Sequence, residues 1–123
     1  MRWQLFPYQA GYTMKNSVSN GVFFQLAARL ARYTHNETYA EWAEKVYDWT
    51  ASVPLLNNKT WNVGDSVQIA DDCKHLGNNQ WSYNYGNYLM GAAFMQNYVS
   101  GFTSLLSMLV SRLQFCKLSW MIH

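Results

Sequence analysis

Three stretches of the chain repeat apolar residues at intervals of three and four, the spacing that gathers side chains on one face of an α-helix. They predict helices at Ser19–Tyr33, Thr38–Ser52 and Asn79–Tyr98. A Ser or Asn is expected to cap the first helix and Thr38 the second, and Pro54 follows the second helix and ends it. The apolar face of the first helix is formed by Phe23, Ala27, Leu30 and Ala31.

The segments outside these helices have the composition of loops. Residues 1–16 contain a proline and a glycine and are predicted to be extended or looped. Residues 55–78 are polar and glycine-dotted, with short β-like runs at Thr60–Val63 and Ser66–Ile69 that could pair as a hairpin. A loop of this length in a compact fold tends to be functional or poorly ordered. Together the segments predict an all-α fold of antiparallel helices with one long loop.

The 123-residue chain carries few charges for its size. Charged residues make up 13% and aromatic residues 17%, whereas the usual charged share is about a quarter. A small globule has a high ratio of surface to volume, so these charges cannot cover it. The composition indicates part of a larger domain, and side chains such as Phe23, Phe24, Trp42 and Tyr88 are expected to face water in part. The net charge of +2 comes from scattered basic residues, which argues against nucleic-acid binding.

The most informative motif is the run QWSYNYGNYLMGAA at residues 80–93. Aromatic rings offer flat apolar faces with a polar handle, and amides offer both hydrogen-bond donors and acceptors. Sugar rings match such a surface through their CH patches and hydroxyls. Trp81, Tyr83 and Asn84 are therefore candidate carbohydrate-binding residues. As an alternative, Trp81 keeps helical spacing with Tyr85 and Tyr88, so all three could belong to the core.

Two polar residues of the first predicted helix are further candidates. Asn20 and Gln25 could likewise point into the interior of the helical array and contact a sugar. Alternatively, their amides could cap and brace the first helix.

Four blocks of the chain resemble glycoside hydrolase family 76, which contains the fungal mannan endo-1,6-alpha-mannosidases and their cell-wall relatives. The blocks are Arg2–Pro7, Lys15–Thr34, Tyr39–Trp49 and the Trp-Ser-Tyr-Asn-x-Gly signature at residues 81–86. They follow the family's order over residues 2–100. The resemblance implies an (α/α)6 barrel, of which this chain would supply three to four helices with one long loop.

The same resemblance implies a function. The family acts on α-1,6-mannan in cell-wall carbohydrate metabolism, by hydrolysis or by transglycosylation, with retention of configuration through a covalent glycosyl-enzyme and without a cofactor. Asp65 lies where relatives carry a Tyr-Asp-Gly-like turn, which makes it either a cleft contact or an ordinary turn residue.

Glycoside hydrolysis needs two carboxylates, and Asp71 and Asp72 form a neighbouring pair. The resemblance places the family's catalytic aspartates before an aromatic-rich helix and upstream of the Arg2–Pro7 block. Asp71 and Asp72 are instead followed by Cys73, in a run that resembles a later loop of the family. We therefore expect no catalytic residue in this chain and no activity of the chain alone. The alternatives left open for Asp71 and Asp72 are the catalytic pair itself, a place at the cleft rim, and a helix cap or solvated turn.

Cysteine and histidine residues add little to this picture. His35, His75 and Cys73 fall short of a four-ligand zinc set, so no metal site is predicted. The resemblance implies that Cys73 pairs with a cysteine upstream of this chain, and a bridge from Cys73 to Cys116 is the alternative.

Features related to secretion are mixed. Residues 1–20 contain no apolar core typical of a signal peptide. The triplets beginning at Asn36 and Asn58 are N-glycosylation sequons. With the family resemblance they imply a parent that is secreted or held in the cell wall, with a GPI anchor as one option. Any membrane contact would come through an anchor of that parent.

The end of the chain differs from the family. Residues 102–123 are crowded with Leu, Met, Phe and Trp, and Arg112 and Lys117 are the charges before His123. A last barrel-like helix and a membrane anchor are both open, although Arg112 makes an anchor costly. We favour unrelated sequence added by an error of gene prediction or a missed splice. The predicted organisation is thus a partial family 76 domain at residues 1–101 and a divergent tail at 102–123.

Three functional hypotheses follow. The main one is a part of a mannan endo-1,6-alpha-mannosidase. The rivals are a non-catalytic mannan-binding module and a truncated gene product without function.

Overall fold

A computed structural model describes residues 1–77 and 79–100, and most of these residues are helical. The elements, in chain order, are β1 (Met14–Asn16), α1 (Ser17–Thr34), α2 (Glu37–Ser52), β2 (Ser66–Gln68), a 3-10 turn (Ile69–Asp71) and α3 (Ser82–Ser100). The three predicted helices are confirmed. Within the described ranges, no helix is long and apolar enough to cross a membrane, and the predicted tail at 102–123 lies outside them.

Side-chain caps decide where the first two helices begin. The Asn16 side chain accepts a hydrogen bond from the Ser19 backbone N–H at 3.1 Å, so α1 begins at Ser17 instead of Ser19. The Asn36 side chain accepts one from the Thr38 backbone N–H at 3.0 Å. The prediction that Thr38 caps α2 was therefore wrong, because Asn36 already occupies the cap position.

The far ends of the helices follow ordinary stop signals. His35 ends α1 in the left-handed conformation, with φ of 54°, and its N–H donates to the Ala31 carbonyl at 3.0 Å. Val53 follows α2 in an extended conformation, which is the conformation favoured before Pro54. The start of α3 lies at Ser82, three residues later than predicted.

The packing of α1 against its neighbours shows the direction of each helix. Near the start of α1, Lys15 lies over the Trp49 ring, whereas further along α1 the Phe23 ring meets Trp42. Residue numbers along α1 and α2 therefore run in opposite senses, and these two helices are antiparallel.

The contacts between α1 and α3 show that these two helices run in the same direction. Gly21 lies against Asn87, and the Arg32 Nε donates to the Asn97 Oδ1 at 2.6 Å. Residue numbers rise together along both helices, so α1 and α3 are parallel neighbours. The prediction of antiparallel packing was wrong for this pair, because the chain between α2 and α3 stays at one end of the bundle and α3 then leaves in the direction of α1.

The long loop pairs with the lead-in through a two-stranded sheet and with itself through isolated bridges. β1 and β2 are antiparallel, with Met14 opposite Gln68 and Asn16 opposite Ser66. The predicted hairpin between Thr60–Val63 and Ser66–Ile69 does not form. β2 instead pairs along its length with the lead-in before α1, and the Ile69 N–H donates to the Thr13 carbonyl at 2.9 Å just beyond it. A single bridge also joins Val67 of β2 to Leu76 later in the loop. The all-α prediction is therefore amended by a two-stranded sheet.

Small residues bring the helices close together. Phe24 of α1 is 3% exposed and contacts the rings of Tyr47 and Tyr88, at centroid distances of 5.5 and 6.0 Å. The buried alanines of this core are Ala27, Ala28, Ala31, Ala40 and Ala43. A second small cluster joins Leu55, Val67 and Cys73 beneath the loop.

Candidate functional site

The starts of the parallel helices α1 and α3 are joined through Asp65. The Ser17 backbone N–H donates to the Asp65 carbonyl at 2.8 Å. The Asn84 Nδ2 lies 3.5 Å from the Asp65 Oδ1. Half-buried Asp65 therefore links the first turn of each helix, and the structure brings two of the predicted site residues, Asp65 and Asn84, into contact.

Two predicted site residues lie inside the fold. Asn20 is 1% exposed and Asn84 is 0% exposed. The Asn20 Nδ2 donates to the Asn16 carbonyl at 2.7 Å and to the Met1 carbonyl at 3.2 Å, and its Oδ1 accepts from the Met1 amino group. The Asn20 amide therefore braces the start of α1. Because neither amide is open to solvent, a ligand reaches neither of them in this structure.

A small buried cluster beside these residues has unused hydrogen-bonding capacity. The Ser17 Oγ, the Asn84 Oδ1 and the Tyr88 hydroxyl are buried and complete no hydrogen bond among the described residues. Burial raises the pKa of Tyr88 to about 12, although the nearby Thr50 and Ser17 hydroxyls act in the opposite direction. The phenol is thus neutral at physiological pH, and the cluster can donate and accept hydrogen bonds without carrying charge.

Sequence reasoning missed Ser17 and Thr50 as members of this cluster. A signal for Tyr88 was available, since it lies four residues after Asn84 and therefore on the same face of α3. No local signal pointed to Thr50, because it lies on α2 and reaches the cluster only through helix packing.

Two exposed aromatic residues, Trp81 and Tyr83, lie just before α3 and in its first turn. Trp81 and Tyr83 are 47% and 50% exposed, and their rings stack at 6.1 Å with an interplanar angle of 11°. The Trp81 carbonyl accepts from the Asn84 N–H at 3.0 Å, which ties this stack to the first turn of α3. The pair presents flat apolar surface to solvent at the same end of the molecule as Asp65 and Asn84.

Gln25 lies apart from this group. It is half-buried on α1, and its Nε2 donates to the Met90 Sδ of α3 at 2.6 Å. The structure therefore places Gln25 in the α1–α3 contact, beyond the helix starts that hold the other candidates.

Asp71 and Asp72 lie beside cationic or ionisable neighbours, and the surroundings of Asp71 favour its charged form. Burial of Asp71 raises its pKa, but the hydrogen bond and charge of His75 and backbone N–H groups outweigh burial and hold the pKa below its usual range. The Asp71 Oδ2 lies 2.9 Å from the His75 Nδ1. Asp72 is exposed and lies 3.6 Å from the Lys74 Nζ. A catalytic acid needs a raised pKa, so Asp71 does not have the environment of one.

Cysteine, histidine and carboxylate side chains are the groups that could hold a metal ion or form a disulfide. The described residues contain no group of three or more His, Cys, Asp and Glu side chains that could hold a metal ion. Cys73 is buried and is the cysteine that falls within the described residues, whereas Cys116 lies outside them. Among the predicted site residues, Trp81 and Tyr83 are exposed to solvent, whereas Asn20 and Asn84 are buried.

Comparison with known proteins identifies the family. Residues 1–121 match the family profile described as Glycosyl hydrolase family 76. The chain belongs to this family. Mannan endo-1,6-alpha-mannosidase DCW1 of Candida albicans is 52% identical over 99 residues, which cover 80% of this chain and 22% of that protein.

Solved family 76 structures resemble the same part of the chain. Dfg5 from Chaetomium thermophilum, crystallised in complex with glucosamine, superposes with a TM-score of 0.78 at 49% identity, over 81% of this chain and 24% of that chain. The family 76 mannosidase Bt3792 from Bacteroides thetaiotaomicron superposes with a TM-score of 0.64 at 27% identity, over 80% of this chain and 27% of that chain. The chain thus spans about a quarter of the length of these relatives.

Proposed function

We propose that this segment forms part of the substrate-binding wall of a mannan endo-1,6-alpha-mannosidase domain, whose catalytic carboxylates lie outside it. The proposal rests on the family assignment and on the name of the Candida albicans relative. The substrate class is α-1,6-mannan, processed by hydrolysis or transglycosylation. The complete protein acts at the cell surface or in the cell wall.

Helix directions support a place in an (α/α)6 barrel. In such a barrel, helices of one ring run in the same direction, and helices of the other ring run in the opposite direction. The parallel neighbours α1 and α3 fit one ring, and antiparallel α2 fits the other.

Charge distribution supports an assignment of each ring. α3 contains no charged residue, whereas the exposed side of α2 is rich in charge. Those exposed charged residues are Glu37, Glu41, Glu44, Lys45 and Asp48. Charged side chains favour water, so α2 is assigned to the outer ring and α1 and α3 to the inner ring that surrounds the substrate.

The observation that carries the proposal is the Trp81–Tyr83 stack beside the Asp65–Asn84 contact. A sugar ring can lie against the exposed aromatic faces, since these combine apolar area with polar edges. Asn84, Asn20 and the Asp65 carbonyl hold the first turns of α3 and α1 in place, so their role is to position the stack. Such contacts orient substrate, and the carboxylates elsewhere in the domain supply the chemistry.

A chimera tests this proposal. The matched 99-residue segment of the Candida albicans relative is replaced by the corresponding segment of this chain, and release of reducing ends from α-1,6-mannooligosaccharides is measured. Trp81→Ala and Tyr83→Ala should each raise KM about tenfold, equivalent to about 1.4 kcal/mol of lost binding. Trp81→Phe retains a ring and should lose less.

The matched control is Tyr8→Ala, which removes an aromatic ring that is 83% exposed but lies in the lead-in before β1. It should leave KM within twofold, a change of about 0.4 kcal/mol. An active chimera in which the Trp81 and Tyr83 variants behave like the Tyr8 variant would show that the stack does not contact substrate.

A further inference from the structure

The turn between α1 and α2 carries the first of the two Asn-X-Thr triplets in the sequence. Asn36, Glu37 and Thr38 are all exposed. The second triplet begins at Asn58, within the turn that follows Leu56. Accessibility of the asparagine amide is the first requirement for attachment of an N-linked glycan.

The geometry of Asn36 leaves its amide nitrogen available. Its Oδ1 accepts from the Thr38 N–H at 3.0 Å as the cap of α2, and its backbone N–H donates to the Thr34 Oγ1 at 3.3 Å. The Nδ2 makes no hydrogen bond to any described residue. A substituent on Nδ2 keeps the carbonyl oxygen as an acceptor, so the helix cap and a glycan are compatible.

The position of Asn36 separates it from the candidate binding site. Asn36 follows the end of α1, whereas Asp65, Asn84 and the Trp81–Tyr83 stack lie where α1 and α3 begin. α1 contains 18 residues, so at 1.5 Å per residue the two ends are about 27 Å apart. A glycan at Asn36 would project from the opposite end of the bundle and leave the binding site open.

We infer that Asn36 is an N-glycosylation site. The donor is a lipid-linked diphospho-oligosaccharide of the secretory pathway. A bond forms between the Asn36 Nδ2 and the anomeric carbon of the donor sugar, and the bond from that carbon to the diphosphate oxygen breaks. The amide nitrogen loses one proton, and the lipid diphosphate leaves with the electron pair of the broken bond. No oxidation or reduction takes place.

The test is expression of the full chain behind a secretory leader in yeast, followed by peptide mass spectrometry with and without an amidase that removes N-glycans. The peptide containing Asn36 should carry N-acetylhexosamine, and the amidase should convert Asn36 to aspartate. Thr38→Val should abolish the modification while leaving the Asn36 cap intact, and Thr38→Ser should retain it. Asn58→Gln removes the second sequon, so that the remaining gel shift reports Asn36 alone.

Asn62→Gln is the matched control, since Asn62 is an exposed loop asparagine outside any sequon. Its glycan pattern should equal that of the unmodified chain. An unmodified Asn36 peptide from product whose leader has been cleaved would overturn the inference. The result is independent of mannan cleavage, so it stands or falls separately from the proposed function.

Discussion

The contact between Gly91 and Phe24 sets how closely α1 and α3 approach. A Cβ at Gly91 would overlap the edge of the Phe24 ring, which is itself 3% exposed. Gly21 on α1 faces Asn87 and Tyr88 with slightly more room, since a Cβ there would lie 3.1 Å from the Asn87 Cβ. Two glycines on facing helices thus permit the parallel contact that brings the starts of α1 and α3 together.

Gly91→Ala should lower the stability of the active chimera by about 1–3 kcal/mol, because the added methyl group forces the Phe24 ring out of its position. The readout is the thermal unfolding midpoint. Phe24→Leu removes the ring edge, so the Gly91→Ala penalty should shrink in the Phe24→Leu background. Equal penalties in both backgrounds would mean that the Gly91 methyl group meets something other than Phe24.

A second prediction at this scale concerns Asp71. Asp71→Asn in the chimera should leave turnover within about twofold, since the Asp71 carboxylate is paired with His75 at 2.9 Å and the catalytic carboxylates are expected upstream of residue 2. The stabilisation from the depressed pKa of Asp71 is present above the usual value of 3.8 and is lost only as pH falls through the lower folded value. If Asp71→Asn or Asp72→Asn abolished turnover at every pH tested, Asp71 and Asp72 would be catalytic residues.

At the scale of the element, α2 and α3 differ in the polarity of the side chains that they expose. α2 carries carboxylates and a Glu41–Lys45 ion pair at 3.6 Å, which water can solvate. α3 instead exposes Leu89 by 74%, and Met90 remains 47% exposed at the edge of its contact with α1. On α1, Leu26 is likewise apolar and 54% exposed. This difference in polarity is expected if further helices of the complete domain enclose α3 but leave α2 in contact with water.

Substitution to lysine at matched positions tests this assignment. Leu89→Lys should destabilise the chimera by about 3 kcal/mol or more, because enclosure would leave an unpaired charge away from water. Glu41→Lys on α2 should change stability by about 0.5 kcal/mol or less, as expected for a solvated surface. Comparable thermal midpoints for the two variants would remove the support for an inner position of α3.

At the scale of the whole molecule, the chain exposes much apolar surface. Leu5, Tyr8, Tyr33 and Leu89 are each at least 70% exposed. The expectation that Phe24 and Tyr88 would partly face water was wrong, since they are 3% and 5% exposed within the three-helix contact. Trp42 is 50% exposed as expected, and Phe23 is half-buried.

The isolated chain should therefore bind a hydrophobic dye and unfold without a cooperative thermal transition. Exposed apolar area costs about 25 cal/mol per Å2, so a few hundred Å2 offset several kcal/mol of a typical net stability of about 5–15 kcal/mol. Near- and far-ultraviolet circular dichroism during heating provide the measurement. A sharp two-state transition of a soluble monomer would favour the mannan-binding module instead.

Local chemistry determined much of this protein from the sequence alone. The three helices follow from apolar spacing, and their ends follow from Asn16, Asn36 and the Val53–Pro54 pair, because caps and proline act within one helical turn. The blocks that identify family 76 are likewise contiguous in the chain. The wrong prediction that Thr38 caps α2 also had a local cause, because Asn36 and Thr38 are both good capping residues and lie two positions apart.

Tertiary structure decided the features that join distant residues. The pairing of Met14 with Gln68, the parallel contact of α1 with α3 and the burial of Asn84 against Asp65 each depend on where the long loop returns. The composition of the aromatic motif alone does not show whether the Asn84 amide contacts a ligand or forms buried hydrogen bonds that hold the fold together. Only the return of Asp65 to the starts of both helices withdraws Asn84 from solvent, while Trp81 and Tyr83 remain exposed because no described element covers them.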